Sequence, residues 1–387
     1  MGHDKPSKVK EFIPLLAFIA ILSLLLCMIA PSDRASKRDF VCYWTSGQLL
    51  LHGVDPYSPD AVMRLERSEG YQADKAMVLR NPPFTLPLVI PLGLLGFRVA
   101  NVFWLFLIVS SIAISMHLVR ELHGDTTSRI HLLGYAFAPT LICVGAGQIV
   151  AFSLFGMVVF LLLYKQRPFV AGLALSICAI KPHLLLPFGV ALLLWILFQK
   201  QIRVALGLLT GFLSASAIAT AIRPSIWMDY FSMMRTGGLD REFMPTPSAL
   251  LRLAIHPAWA WLQMVPAALA CLWAAWYYWE HREGWTWAGH NGYLLILVSL
   301  LVAPRAWVTD EILAVPALLF LFYDGCSRTA LYWLAGASTV AMVEMLAAVQ
   351  ITSRYYVWTT TAWLACYLIA AAPARQSTRA KSFSAAR

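Results

Sequence analysis

The sequence predicts an all-α protein that crosses a membrane several times. Of its 387 residues, 59% are hydrophobic and 13% are charged, and the mean hydropathy is +0.67. Soluble globular domains have an apolar share of about 45–50%, even when glycine is counted. The apolar runs are long and continuous, as membrane-spanning helices require, whereas a transmembrane barrel would alternate in polarity over segments of roughly ten residues. A soluble domain and a barrel are therefore both excluded.

The first apolar run, residues 13–30, predicts an uncleaved helix with its N-terminus inside. Three lysines precede it, which is typical of a secretory signal, but the run is nearly long enough to span a core of about 30 Å. Pro31 follows directly and would block cleavage there. The predicted cytoplasmic tail, residues 374–387, contains four lysines or arginines and no acidic residue.

Hydropathy predicts about twelve helical spans with both termini in the cytoplasm. They are expected near residues 11–30, 99–119, 131–145, 148–164, 168–181, 183–199, 204–222, 258–278, 289–303, 311–323, 329–349 and 356–372. Short polar turns such as "YKQRP", "FQKQIR" and "HREG" then fall inside, as the positive-inside rule requires. We group residues 1–222 as an N-terminal catalytic module and 223–373 as C-terminal membrane helices.

The first external loop, residues 31–98, is predicted to be structured. Its polar part, residues 31–81, carries seven basic and seven acidic residues, so it is not a simple basic patch. A loop this long is uncommon unless it is functional. Asp39 can begin a short helix that runs through Leu51, Gly53 can end it in the left-handed conformation, and Asp55 with Pro56 makes the turn that follows.

The end of this loop, residues 82–97, is apolar but contains four prolines. It is too short and too broken for a confident span, and we expect it to lie along the outer membrane surface. The alternative, that it crosses the membrane, would invert several of the following loops.

A set of short motifs occurs in a characteristic order along the chain. An Asp follows the first helix, then come "YW", "DPY", "NPPF", "GQ" at Gly147-Gln148, "KPH" at residues 181–183 and "APRAWVTDEILAVPALLF" at residues 303–320. Together they resemble the bacterial polyprenol-phosphate-mannose-dependent mannosyltransferases, glycosyltransferase family 87, over most of residues 11–323. The resemblance implies a C-type membrane glycosyltransferase fold.

The resemblance also implies a reaction. Such an enzyme takes a hexose, here mannose, from a β-linked polyprenyl-phosphate donor and transfers it with inversion to an acceptor hydroxyl on the outer face of the cytoplasmic membrane. The implied partners are the lipid-phosphate sugar, a glycolipid or glycan acceptor and membrane lipids. The motifs extend the candidate substrate contacts to Arg38, Asp55, Tyr57 and Gln148.

Asp39 is the candidate general base for this transfer. An inverting enzyme needs one group to take the proton from the incoming hydroxyl, and a carboxylate at the membrane surface suits this role. Tyr43 and Trp44 lie one helical turn further on and predict an apolar wall for the sugar. The alternative is that Asp39 only caps a helix and the two aromatic residues belong to the interfacial belt.

Lys181 is the candidate contact for the lipid phosphate. It interrupts an otherwise apolar run, and an ionisable residue at such a position predicts a functional site. The alternative is a lysine that extends to the interface from a helix end beside Pro182. His183 is expected to assist or to sit at the interface. Arg305 and Asp310 form a second polar cluster that either contacts substrate or forms an ion pair.

The sequence indicates neither a metal site nor a cofactor. The seven cysteines are scattered without a CxxC pair, and there is no nucleotide-binding loop and no HExxH motif. The net charge of +10 comes without a nucleic-acid-binding signature. The main rival function is a transporter or flippase for a lipid-linked or anionic substrate, although a transporter would concentrate its polar residues near the midplane of the spans.

Overall fold

The computed structural model describes residues 39–124, 127–236, 243–325, 328–347 and 353–371, with positions 19, 21 and 23–25 before them. Most of the first predicted span, Arg38 and the predicted cytoplasmic tail lie outside the described residues. Within these ranges the regular elements are α-helices and short 3₁₀ helices, and no strand occurs. The all-α prediction is confirmed.

The helices are numbered here in chain order. They are α1 (Phe40–Leu51), α2 (Pro59–Ser68), α3 (Leu86–Gly93), α4 (Phe97–Leu122), α5 (Leu133–Ala136), α6 (Ala138–Ala146), α7 (Val150–Leu163), α8 (Pro168–Leu175), α9 (Leu186–Phe198), α10 (Ile202–Ile222), α11 (Ile226–Thr236), α12 (Pro247–Ile255), α13 (Val265–His281), α14 (His290–Val302), α15 (Val315–Asp324), α16 (Arg328–Leu346) and α17 (359–371). 3₁₀ helices cover Pro83–Thr85, Ile130–Leu132, Ser176–Ile180, Pro182–Leu185, Ala260–Met264, Val308–Ala314 and Arg354–Tyr356.

The described residues contain four helices that are long and apolar enough to cross a membrane. They are Phe97–Leu122, Ile202–Ile222, Ala260–His281 and Arg328–Leu346. A fifth candidate is the bent pair Pro168–Ile180 and Pro182–Phe198, whose limbs differ in direction by 117°. The predicted number of about twelve is not confirmed. Several predicted spans are shorter helices, and the one expected over 131–145 is divided at Phe137, where ψ is 124°.

The chain divides into two compact units that are described separately here. The first contains Met1–Ile114, Val144–Ala151 and Leu213–Gly237, and the second contains Ser115–Cys143, Phe152–Phe212 and Gly238–Arg387. Both units are therefore assembled from segments that are distant in sequence.

In the first unit, residues 39–98 of the predicted external loop form a packed structure. Helix α1 has the bounds expected from the sequence, and Gly53 follows it with φ of 70°. Helix α3 packs closely against α1 at Gly93 and Gly47, where a Cβ added to Gly93 would clash with the Gly47 backbone. The Pro83–Gly93 segment belongs to the shorter apolar helices, and at helical rise it is under roughly 20 Å long. This length agrees with a surface element rather than a span.

Candidate active site

In the first unit, the Asp39 carboxylate meets the side chain of Gln148. Asp39 is half-buried and directly precedes α1, yet its side chain makes no capping hydrogen bond to that helix. Instead, Gln148 Nε2 donates to Asp39 Oδ2, across a separation of 109 residues. A cap was the alternative role that the local pattern allowed, but the carboxylate is directed to a distant amide. The side chain of Asp39 therefore does not cap α1.

The conformation at Gly147 brings Gln148 to this position. Gly147 has φ of 71°, a left-handed conformation that glycine adopts without a steric penalty. Its carbonyl accepts a hydrogen bond of 2.8 Å from Trp104 Nε1, and the Asp39 amide donates to the carbonyl of Ala146 at 3.2 Å. The "GQ" motif is therefore fixed beside the start of α1 from two directions.

Tyr43 and Trp44 are buried behind Asp39. Tyr43 is 3% exposed and Trp44 is 4% exposed. The Tyr43 hydroxyl donates to Gln148 Oε1 at 3.3 Å, and its ring lies 5.1 Å from that of Trp104. Trp44 Nε1 donates to the carbonyl of Leu95 at 3.0 Å. In this arrangement the two rings contact protein and support α1, so the predicted sugar-stacking wall stays a prediction.

Asp55 and Tyr57 build the turn after α1. Asp55 Oδ1 accepts a hydrogen bond of 2.9 Å from the amide of Tyr57, which is an Asx turn. Burial raises the pKa of the Asp55 carboxyl. The Tyr57 hydroxyl donates to the carbonyl of Asn81 at 3.1 Å, and its ring packs against Tyr230 at 5.5 Å. The structural explanation of Asp55 as a turn residue is confirmed.

Glu66 is a buried carboxylate of the first unit that sequence analysis missed. It lies on α2 with no exposed surface, and its two oxygens accept from the amide of Met77 at 3.2 Å each. Burial raises the pKa of Glu66 to about 7, although the Met77 amide favours the ionised form. Glu66 thus joins α2 to the chain that returns from it, and its charge state changes near neutral pH.

In the second unit, Lys181 forms a buried ion pair with Asp310. Its Nζ lies 2.6 Å from Asp310 Oδ1, and the two side chains are 11% and 1% exposed. Lys181 lies at the bend between the limbs Pro168–Ile180 and Pro182–Phe198. A lysine extended to the interface would be exposed, so the alternative role of Lys181 does not fit. The geometry also gives Asp310 a lysine partner 129 residues away, which the sequence did not predict.

Asp310 is fixed by its own backbone as well as by Lys181. Its second oxygen accepts from the amide of Trp307 at 3.0 Å, and its amide donates to the carbonyl of Trp307 at 2.8 Å. Three charged side chains lie close enough to His183 to interact with it electrostatically: Asp310, Lys181 and Arg305. The structure therefore brings all four candidate residues of this unit into one cluster. The sequence predicted a cluster only for Arg305 and Asp310.

Glu311 is a second acid that sequence analysis did not single out. It is 2% exposed. Its Oε1 accepts from Thr359 Oγ1 and its Oε2 from Trp363 Nε1, both at 2.6 Å. Asp310 therefore binds Lys181 at the bend, and the adjacent Glu311 binds two side chains of α17. The signal was present, because two adjacent acids at the start of an apolar run predict partners in a membrane protein.

The fold and these clusters define a helical membrane protein that holds carboxylates in specific polar contacts away from bulk solvent. Within the described ranges, no group of three or more His, Cys, Asp or Glu side chains could hold a metal ion. A family model for glycosyltransferase family 87 matches residues 80–304, which is more than half of the chain. The chain belongs to glycosyltransferase family 87 and is a membrane glycosyltransferase.

This family membership favours an enzyme over a transporter. The matched region includes Gln148, Lys181 and His183, whereas Asp39 precedes it and Arg305 and Asp310 follow it. No curated protein and no solved structure matches the chain.

Proposed function

We propose that the protein transfers a hexose, mannose in the first instance, from a polyprenyl-phosphate sugar to an acceptor hydroxyl. The transfer proceeds with inversion on the outer face of the cytoplasmic membrane, and the acceptor is a glycolipid or another glycan. The observation that carries this proposal is the Asp39 carboxylate, which precedes a helix that it does not cap and receives the amide of Gln148. The predicted outer position of residues 31–98 supports the outer face.

Asp39 is assigned the role of general base. The acceptor oxygen forms a bond to the anomeric carbon while the bond from that carbon to the phosphate oxygen breaks. The acceptor proton moves to Asp39, and the bonding electrons leave with the polyprenyl phosphate. Gln148 donates a neutral hydrogen bond, so it orients the carboxylate without cancelling its charge. We assign Gln148 as a positioning residue.

Lys181 is assigned to the donor phosphate. The phosphate gains one negative charge when the sugar leaves, and fixed cations stabilise such developing charge. An ammonium has three donor hydrogens, and Asp310 fixes the position of the Lys181 nitrogen at 2.6 Å. Arg305 and His183 act in the same cluster. Asp39 belongs to the first unit and Lys181 to the second, and each role is assigned from contacts inside that residue's own unit.

The test is transfer by purified protein in lipid nanodiscs from a labelled polyprenyl-phosphate mannose to a panel of glycolipid and glycan acceptors. Asp39→Asn keeps the shape of the side chain and removes its basicity. Because a general base contributes about 10²–10⁴-fold, we expect kcat to fall by that order with unchanged thermal unfolding. The matched control is Asp60→Asn, an exposed acid on α2, which should keep full activity. Near wild-type turnover by a folded Asp39→Asn protein would remove Asp39 from this role.

A further inference from the structure

The second unit contains a pocket of about 360 Å³, and its lining includes none of the residues proposed for transfer. Three turns of the chain form it, after α7, after α9 and after α13. Its lining includes Tyr164, Lys165, Gln199, Gln201, Arg282 and Trp285. These are the turns "YKQRP", "FQKQIR" and "HREG", which the positive-inside rule places on the cytoplasmic side. The structure brings the three turns together at one end of the second unit, which a common location on the cytoplasmic side requires.

The pocket lining is positively charged. Lys165 and Arg282 belong to it, and it includes no carboxylate. Glu283, the next residue after Arg282, is exposed and is not part of the lining. The Arg282 guanidinium is fixed in place, because it lies 4.3 Å from the ring of Trp279 and donates to the Trp279 carbonyl at 2.9 Å. Two cations and no anion in one concave site favour an anionic ligand.

Neutral donors complete the lining, and the backbone is strained where two of them meet. Gln199 and Gln201 flank Lys200, which has φ of 52°. The amide of Gln201 donates to the carbonyl of Ile196 at 2.9 Å, which makes Lys200 the left-handed residue that closes a helix, a position where glycine is preferred. The Trp285 Nε1 donor is buried, and no acceptor for it lies among the described residues. Gln199 Nε2 donates to the Arg282 carbonyl at 3.4 Å and Gln201 Nε2 to the Gln199 carbonyl at 3.2 Å, so each amide keeps its second N–H for the acceptor oxygens of a ligand.

The side chains beside the pocket are apolar and exposed. Phe198 is 55% exposed and Trp279 is 47% exposed, and their rings pack edge to face at 5.3 Å. Phe198 precedes Gln199, and Trp279 lies under Arg282. In a membrane protein such a surface contacts lipid, and aromatic residues concentrate at the level of the headgroups. The pocket is therefore open to a molecule that has both an anionic head and an apolar tail.

We propose that this pocket binds the phosphate-bearing headgroup of an anionic phospholipid, with the acyl chains lying against Phe198 and Trp279. The shared chemistry is a phosphate ester, which a soluble phosphate would also provide, but the exposed aromatic flank favours the lipid. The volume lies at the lower end of the range of small-molecule sites, about 300–1,000 Å³. The inference is independent of the transfer reaction.

The test measures lipid binding by delipidated protein in a neutral detergent. Dioleoylphosphatidylglycerol is titrated while thermal unfolding is followed, and dioleoylphosphatidylcholine, glycerol 3-phosphate and inorganic phosphate are titrated in parallel. We expect the anionic lipid to raise the unfolding temperature more than the other three. Lys165→Gln should weaken its apparent affinity about fivefold, since each cation near an anionic lipid contributes about 1 kcal/mol.

The control for this test is Arg203→Gln, which removes one charge from an exposed residue on α10 that does not line the pocket. It should leave the lipid response unchanged. Arg282 also packs on Trp279, so Arg282→Gln is accepted only if the lipid-free protein unfolds at the wild-type temperature. Equal losses in Lys165→Gln and Arg203→Gln would mean general electrostatic attraction and overturn the proposal. Equal responses to both lipids, or an equal response to inorganic phosphate, would also overturn it.

Discussion

The two polar clusters of this glycosyltransferase hold their carboxylates in different ways. In the first unit, Asp39 is half-buried and receives a neutral amide from Gln148. In the second unit, Asp310 is 1% exposed and receives an ammonium from Lys181 at 2.6 Å. A neutral donor orients a carboxylate and leaves its negative charge, whereas an ion pair neutralises it. This difference agrees with the proposed role of Asp39 as the base and with a structural and charge-placing role proposed for Asp310.

The largest expected effect comes from separating Lys181 and Asp310. Asp310→Asn leaves the Lys181 charge buried without its partner, and we expect the free energy of unfolding in detergent to fall by about 3–5 kcal/mol. Lys181→Met combined with Asp310→Asn removes both charges and should recover most of that loss. A double variant as unstable as Asp310→Asn alone would show that the pair is not the cause.

The next effect should appear at Gln148, in activity rather than stability. Gln148→Leu removes the donor to Asp39, and a misplaced catalytic group costs up to about 10²-fold in rate. Loss of a hydrogen bond to the ionised form also makes a carboxylate more basic, so the acid limb of the profile of kcat/KM against pH should move to higher pH. Gln148→Glu tests the charge, because a second carboxylate beside Asp39 should move that limb further. A lower rate with an unmoved limb would mean that Gln148 only supports packing.

A smaller effect concerns Glu66, which lies outside the two clusters. Burial raises its pKa from the ordinary 4.5 to about 7 in the folded protein. The folded state therefore binds more protons than the unfolded state between these values, and stability falls as pH rises from about 4.5 to 7. Glu66→Gln should lose this part of the pH dependence, so that its unfolding temperature gains on wild type between pH 5 and 8. Parallel curves for the two proteins would contradict the assignment.

The smallest effect is expected at the turn beside the lipid pocket. Lys200 is left-handed, with φ of 52°, and Lys200→Gly should stabilise the protein by about 1 kcal/mol, because the strain of a Cβ in this conformation is removed. Lys200→Ala is the matched control, since it loses the charge but keeps the Cβ. Equal stabilisation by both variants would assign the effect to charge and not to the backbone.

Local sequence pattern determined the features that depend on neighbouring residues. The composition predicted the helical membrane class, and the positions of Asp39, Gly53 and Asp55 predicted α1 and the turn after it. These predictions succeeded because periodicity, left-handed glycine and Asx turns act over a few residues. The motifs also indicated the glycosyltransferase family, because their order along the chain can be recognised without knowing which residues they contact.

Tertiary structure decided the partners of each charge. Gln148 reaches Asp39 across 109 residues, and Asp310 reaches Lys181 across 129, and the sequence predicted neither of these two contacts. The partners of Glu66 and Glu311 could not be identified from sequence, because their donors lie on other segments. Hydropathy also predicted one span over 131–145 without the bend at Phe137, and it separated two spans at Lys181 without predicting the angle between them. Hydropathy averages over many residues, while a bend depends on the backbone angles of one residue, and a buried charge is paired by whichever segment the fold brings to it.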